Sequence, residues 1–240
     1  MPVPARSADR LLPWAAAVFA VLCILGGLLG VRPLVLVFKP LTTLALIAWA
    51  WPRGAERPRQ QRLVRGGLML SLVGDVALMW PQGFLPGLIA FLLAHLAYLG
   101  AFTAPVRFAA RPLCVVAYAA AAAVIGSLLW PSIPPALKWP VLAYMLCIAA
   151  MAAQAAVWWL AARGTADAAL ARHAAIGGLL FFASDTLLAF NRFHAPIALS
   201  PLWVLGTYWL AQGFIAASLA PRGASLRDSA PAAPHARAAG

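Results

Sequence analysis

The chain has 240 residues, of which 64% are hydrophobic and only 10% are charged, and its mean hydropathy is +0.86. This composition excludes a soluble globular domain, because such domains are about one quarter charged and a chain of this length could not bury so much apolar surface. The net charge of +12 does not indicate nucleic-acid binding. The arginines lie in short gaps between apolar runs, without the interleaved aromatic residues of a nucleic-acid surface.

Eight apolar runs follow one another along the chain, each close to the roughly 20 residues that a helix needs to cross a bilayer. They cover residues 11–30, 33–51, 63–80, 85–102, 112–129, 137–160, 170–190 and 199–219. Trp-Pro pairs mark the ends of three runs, where the indole suits the headgroup level and proline stops the helix. The sequence therefore predicts an all-α, polytopic bundle of eight transmembrane helices over residues 11–219. A short N-terminal segment (1–10) precedes it, and a disordered tail (220–240) follows.

The basic residues between the runs predict the orientation of the chain. Fourteen arginines fall on the side of the N-terminus, and only Arg32, Lys138 and Arg192 fall on the other side. An odd number of spans would destroy this asymmetry. By the positive-inside rule, we expect a multi-pass protein of the inner (plasma) membrane with both termini in the cytoplasm.

Two segments four spans apart resemble each other and suggest an internal repeat. Residues 67–80 and 177–190 each contain one aspartate, Asp75 or Asp185, at the same position within an apolar run. Both segments cross the membrane in the same direction. This pattern indicates two parallel four-helix halves.

Three charged side chains lie well inside the apolar runs, away from the run ends, where a charge costs about 2.5–3.5 kcal/mol on insertion scales. Asp75 and Asp185 are the only acids within spans, and Lys39 lies in the second span. At 1.5 Å per residue, each is about 8–9 Å from the outer end of its helix. If the helices face one another, the three form one polar pocket that opens outward. Purely structural roles are the alternative to such a pocket. An aspartate could be protonated and form a hydrogen bond between helices, and the lysine could extend its side chain to the membrane interface.

Further polar side chains are expected to point into the bundle. Tyr208 and Gln212 share one face of the last span. His95 lies in the fourth span, either as a hydrogen-bonded core residue or as part of the site, and Asn191 ends the seventh span, where it could reach a lipid headgroup. The three cysteines and four histidines have no metal-ligand spacing, so no metal site is predicted.

Five short motifs follow one another along spans two to eight. They are Phe38-Lys39-Pro40-Leu41-Thr42, Ser71-Leu72-Val73-Gly74-Asp75 with Leu78-Met79, the segment from Phe91 through His95 to Tyr98, Phe182-Ala183-Ser184-Asp185-Thr186 with Asn191, and Tyr208-Trp209-Leu210-Ala211-Gln212. Their order and spacing resemble the YhhN-like family, the lysoplasmalogenases. The resemblance covers approximately residues 33–219.

The resemblance implies an eight-helix membrane enzyme that cleaves the vinyl ether bond of a lysoplasmalogen, a single-chain ether phospholipid. The products would be a fatty aldehyde and glycerophosphoethanolamine or glycerophosphocholine, and Asp75 and Asp185 would be the catalytic pair. Protonation of a vinyl ether on carbon gives an oxocarbenium ion that adds water. Two carboxyl groups that cannot both ionise easily can divide these acid and base roles. No metal or organic cofactor is needed.

The predicted substrate-binding residues are Lys39, His95, Asn191, Tyr208 and Gln212. Lys39 could keep one aspartate ionised or hold the lipid phosphate as a point charge. The alternative to a hydrolase is a proton-coupled transporter of lipids or small molecules that uses the same two aspartates. Membrane lipids surround such a protein and nucleic acid is not an expected partner. The sequence indicates neither the oligomeric state nor which aspartate is the acid.

Overall fold

The computed structural model describes residues 5–221, and the side chains of residues 11–221. Within this range the chain forms eight α-helices and no strand, which confirms the predicted all-α bundle. The helices are α1 (Ala5–Leu28), α2 (Arg32–Ala50), α3 (Pro58–Ala77), α4 (Phe84–Thr103), α5 (Pro112–Leu129), α6 (Lys138–Ala161), α7 (Ala168–Phe193) and α8 (Ser200–Ala217). The predicted tail, 220–240, lies outside the described residues except for its first two.

The predicted spans match the helices, with the largest differences at two helix starts. α5 has the predicted bounds, whereas α1 begins six residues before its predicted start and α3 begins five residues before its own. Residues 5–10 of the predicted N-terminal segment thus belong to α1. α3 begins at Pro58, whose fixed φ and missing N–H suit the first helical turn. Hydropathy does not reveal these starts, because a helix can continue beyond the apolar region of the membrane.

Six of the eight helices are long and apolar enough to cross a membrane. α3 and α8 fall short because α3 carries three arginines in its first turns and both helices place polar residues inside the bundle. Ser71 and Asp75 come from α3, and Tyr208 and Gln212 come from α8; all four are buried. The chain is therefore a multi-pass membrane protein with a polar interior to which these two helices contribute.

The helices form a ring in the order α1, α2, α3, α4, α6, α7 and α8. In this ring α4 packs on α6, and α8 packs on α1 and α2. α5 packs on α6 outside this ring. The contact between α4 and α6 has its counterpart in the contact between α8 and α2. This pair of contacts fits the predicted repeat of α1–α4 and α5–α8, in which α2 corresponds to α6 and α4 to α8. The contact of α1 with α8, however, has no counterpart of similar size between α5 and α4.

The bundle has two ends that differ in their connections. The terminal face carries both ends of the described chain and the connections after α2, α4 and α6, whereas the distal face carries those after α1, α3, α5 and α7. On the terminal face, Arg57 pairs with Asp167 at 2.5 Å. Buried Gln154 of α6 donates there to the carbonyls of Phe102 and Val106, both at 3.3 Å. These contacts hold the connections of the terminal face against the helices.

Two glycines of α3 let aromatic rings of α4 approach its backbone. A Cβ added at Gly67 would lie 2.3 Å from the Tyr98 ring, and one added at Gly74 would lie 2.6 Å from the Phe91 ring. A Cβ at the neighbouring Gly66 would meet no atom within 4 Å. The absence of a side chain at Gly67 and Gly74 therefore fixes where Tyr98 and Phe91 lie.

We expect Gly67→Ala to lower the midpoint of thermal unfolding, because the packed Tyr98 ring must move, at a cost of about 1–3 kcal/mol. Gly66→Ala is the matched control and should be neutral or slightly stabilising, since alanine is favoured over glycine within a helix by roughly 0.5–1 kcal/mol. Thermal unfolding of both purified variants in the same detergent measures the difference. Equal midpoints would contradict the packing of Tyr98 on Gly67.

Candidate active site

Asp75 of α3 lies within a hydrogen-bonded cluster and is only 1% exposed. Its Oδ2 accepts hydrogen bonds from the hydroxyl of Thr43 at 2.6 Å and from that of Tyr208 at 2.8 Å. The Nζ of buried Lys39 lies 3.6 Å from Asp75 Oδ1 and donates to the Asp75 carbonyl at 3.2 Å. Lys39 therefore pairs with an aspartate, which is one of its two predicted roles. It does not snorkel to the interface and is not free to hold a phosphate.

A chain of hydrogen bonds leads from Asp75 towards the terminal face. Gln212 Nε2 donates to the Tyr208 hydroxyl at 3.2 Å, and the Tyr98 hydroxyl donates to Gln212 Oε1 at 2.7 Å. Tyr208 and Gln212 are both buried, and their polar groups contact this network. Their positions favour a role in holding Asp75 over the predicted contact with substrate.

Asp185 of α7 occupies a different environment. The hydroxyl of Tyr144 on α6 donates to Asp185 Oδ2. Asp185 is partly exposed, and its other carboxyl oxygen has no hydrogen-bond partner among the described residues. One oxygen is thus fixed in position while the other remains free to exchange a proton.

An apolar pocket lies between α4, α5, α6 and α7 and includes Asp185 in its wall. Its cavity volume is about 80 Å³. Its other polar lining residues are Tyr144, Thr186 and Arg192. The apolar lining includes Leu88, Phe91, Ile125, Met145, Ile148 and Phe182. Within residues 5–221, no three His, Cys, Asp or Glu side chains are grouped as a metal site requires.

Aromatic rings lie between the two aspartates. Phe181 packs on Tyr208 and on His95, with ring centroids 5.4 Å and 4.5 Å apart. The hydroxyl of Tyr208 donates to Asp75, and the hydroxyl of Tyr144, on which His95 packs, donates to Asp185. Asp75 and Lys39, however, do not line the pocket, because Thr43, Tyr208 and the rings around them enclose the pair. Of the three residues expected to share one pocket, the observed pocket includes Asp185 but neither Asp75 nor Lys39.

His95 and Asn191 lie near the pocket without lining it. His95 is fully buried, its ring packs on Tyr144 and Phe181, and neither ring nitrogen has a hydrogen-bond partner among the described residues. Asn191 Oδ1 accepts a hydrogen bond from the backbone N–H of Ile197 at 2.8 Å and fixes the connection between α7 and α8. Neither residue is placed to touch a molecule in the pocket, contrary to the role predicted for both.

Sequence reasoning misses two polar residues of the pocket, Tyr144 and Arg192. A single hydroxyl hardly changes the hydropathy of an apolar run, so hydropathy does not reveal Tyr144. The predicted repeat could have indicated it, because α6 would correspond to α2. Since α2 supplies Lys39 as the partner of Asp75, the repeat would place a partner of Asp185 on α6. Arg192 counts among the loop charges that set topology, yet its seven-residue spacing from Asp185 places both on one helix face.

The model of the YhhN family matches residues 34–219. This chain belongs to the YhhN family. It is 37% identical over 182 residues to lysoplasmalogenase TMEM86B of Sus scrofa, an alignment that covers 75% of this chain and 73% of the relative. Human lysoplasmalogenase TMEM86B is 34% identical over 181 residues, with the same coverage of 75% and 73%. No solved structure matches significantly.

A bacterial relative has a similar sequence identity to this chain. The lysoplasmalogenase of Mycobacterium tuberculosis is 35% identical over 177 residues, which cover 67% of this chain and 60% of the relative. The match to the YhhN family confirms the resemblance expected from the sequence motifs. Its range includes both intramembrane aspartates, Tyr144 and Arg192, whereas α1 lies outside it.

Proposed function

We propose that this YhhN protein is a lysoplasmalogenase, a membrane-embedded hydrolase that cleaves the vinyl ether bond of lysoplasmalogen. The products are a fatty aldehyde and glycerophosphoethanolamine or glycerophosphocholine. The observation that carries the proposal is the carboxyl group of Asp185 in the wall of an apolar pocket. The relatives named lysoplasmalogenase support it.

The reaction needs a proton donor at the double bond and water at the resulting cation. A carboxyl proton moves to the outer vinyl carbon, and the inner carbon and the ether oxygen share the positive charge as an oxocarbenium ion. Water adds to this ion and returns a proton to the carboxylate. The hemiacetal then breaks into the aldehyde and the glycerol hydroxyl, so one water is consumed. General acid–base catalysis of this kind contributes about 10²–10⁴-fold.

Asp185 is placed to be the catalytic acid. It lies in the pocket wall, beside apolar residues that suit a hydrocarbon chain. Tyr144 donates to one of its oxygens and thereby orients the carboxyl group. The other oxygen can give a proton to the substrate and take one back from water. Tyr144 is accordingly a positioning residue.

Asp75 does not line the pocket, but it binds a residue that packs against the pocket lining. Its cluster holds Tyr208, whose ring packs edge-on against Phe91, a pocket residue, with centroids 5.8 Å apart. We therefore keep both aspartates in the mechanism, Asp185 as the catalytic acid and Asp75 as a positioning residue.

The charge asymmetry of the loops supports cytoplasmic termini for the proposed enzyme. The pocket, whose lining includes Phe84, Leu129 and Arg192 near the distal face, then opens toward the opposite leaflet. A lipid in that leaflet has its headgroup at the surface and its chain among the apolar residues. This arrangement suits a substrate that carries a single chain.

Hydrolysis in D₂O tests the proposed function. We expect purified protein in detergent to convert lysoplasmalogen into a fatty aldehyde with one deuterium on the carbon next to the carbonyl, because the proton is delivered to that carbon. The matched acyl lysophospholipid lacks the vinyl ether and should not react. Mass spectrometry of the aldehyde measures the label, and unlabelled aldehyde kept in the same buffer controls for exchange.

Two results would contradict the proposal. A proton-coupled transporter would return both lipids unchanged. An aldehyde without deuterium would exclude protonation on carbon.

A further inference from the structure

Arg192 is the cationic residue in the pocket lining. Its guanidinium lies 3.8 Å from the ring centroid of Phe84 and 5.9 Å from that of Phe193, and both rings also line the pocket. Arg192 is exposed and forms no ion pair with a carboxylate of the described residues. Cation–π attraction holds the guanidinium at the pocket mouth, while its N–H donors stay available for an anion from outside the chain.

Arg192 and Asp185 lie on the same face of α7. Their spacing corresponds to about two helical turns, or roughly 10 Å along the axis at 1.5 Å per residue. Between them, Leu188 and Ala189 continue the apolar lining. The pocket thus combines a carboxyl group in its interior with a cation at its mouth.

We propose that Arg192 binds the headgroup phosphate of a single-chain phospholipid and so sets the depth at which the bond to be cleaved meets Asp185. The identity of this bond rests on the proposed function. In lysoplasmalogen, the path from the protonated carbon to phosphorus spans about 8 Å when extended, at ~1.2 Å per bond. A hydrogen bond from guanidinium to phosphate adds about 3 Å. The sum is comparable with the roughly 10 Å rise between the backbone positions of Asp185 and Arg192 along α7.

The guanidinium of Arg192 suits this role chemically as well. Its planar fork can form two parallel hydrogen bonds to a phosphate, which fix the orientation of the lipid as well as its depth. Lys39, for which phosphate binding was one of two predicted roles, is buried against Asp75. The other basic residues predicted for this side, Arg32 and Lys138, do not line the pocket.

Binding of non-cleavable lipids tests this assignment independently of hydrolysis. The probes are acyl lysophosphatidylcholine and a monoacylglycerol of the same chain length, which lacks the phosphate. We expect Arg192→Gln to weaken binding of the phospholipid at least tenfold and binding of the monoacylglycerol less than twofold. Arg192→Lys should retain part of the preference, because lysine keeps the charge without the fork. Arg163→Gln is the matched control, since Arg163 also stacks on an aromatic ring, Trp159, but outside the pocket.

The outcomes are distinct. Unchanged phospholipid binding in Arg192→Gln, or an equal loss for both lipids, would overturn the proposal, as would a wild-type protein that does not prefer the phospholipid. Displacement of the lipid by inorganic phosphate alone would assign the site to free phosphate and overturn the lipid assignment. Preferential binding that depends on Arg192 would stand even if no aldehyde were released, so a failure of the proposed function remains distinguishable.

Discussion

Asp185→Asn is expected to lower turnover of lysoplasmalogen at least about a hundredfold, the lower range of what a general acid contributes. Asparagine has nearly the same shape as aspartate but carries no acidic proton. Its side-chain oxygen can still accept the hydrogen bond that Tyr144 donates to Asp185. Expression, membrane insertion and the thermal midpoint should therefore stay near wild type, while the initial rate of aldehyde release falls.

Glu56→Gln provides the matched control for this substitution. Glu56 is an exposed carboxyl group between α2 and α3, away from the pocket, and the change should leave the rate unaltered. If Asp185→Asn keeps more than about a tenth of wild-type turnover, the loss of barrier stabilisation is below ~1.4 kcal/mol. Asp185 would then not be the acid.

Lys39→Met is expected to cause the largest loss of stability. The ammonium group of Lys39 pairs with Asp75, and both side chains are buried. Removal of one partner from a buried ion pair leaves a charge without compensation and costs about 3–5 kcal/mol. We expect a clear fall in the thermal midpoint of the purified protein. Lys138→Met is the control, because that lysine lies on the distal face over the Trp130 ring.

A double-mutant cycle measures the interaction between Lys39 and Asp75 separately from the other contacts of each residue. Asp75→Asn removes the charge that Lys39 compensates, so the combination of Lys39→Met and Asp75→Asn should be more stable than the sum of the two single effects predicts. Coupling between contacting residues amounts to about 0.5–3 kcal/mol. Additive changes in the free energy of unfolding would show that the two side chains do not stabilise each other.

The helices and the charged residues that they carry inside the bundle could be predicted because each depends on composition along the chain. The bounds of α5 follow from its apolar run, which a proline opens and a Trp-Pro pair closes. Asp75, Asp185 and Lys39 stand out because a charge inside an apolar run is costly wherever the run packs. The pairing of Lys39 with one aspartate was one of two open roles, and the packing of α2 on α3 selects it.

Access to the site could not be predicted, because it depends on how helices distant in sequence pack. Asp75 and Asp185 occupy equivalent positions in the repeat, yet only Asp185 lines the pocket. Thr43 and Tyr208 fill the space beside Asp75, whereas Asp185 has Tyr144 and an open space between α4, α5, α6 and α7. His95 and Asn191 do not line the pocket for the same reason, because their surroundings come from the tertiary packing.

Aldehyde release from lysoplasmalogen, measured side by side for the purified wild-type protein and Asp185→Asn, tests the proposed enzyme most directly. The wild-type protein should release one aldehyde for each glycerophosphoethanolamine formed, and the variant should release almost none while it stays folded. Equal release by both proteins, or no release by the wild-type protein, would contradict a lysoplasmalogenase that uses Asp185 as its acid.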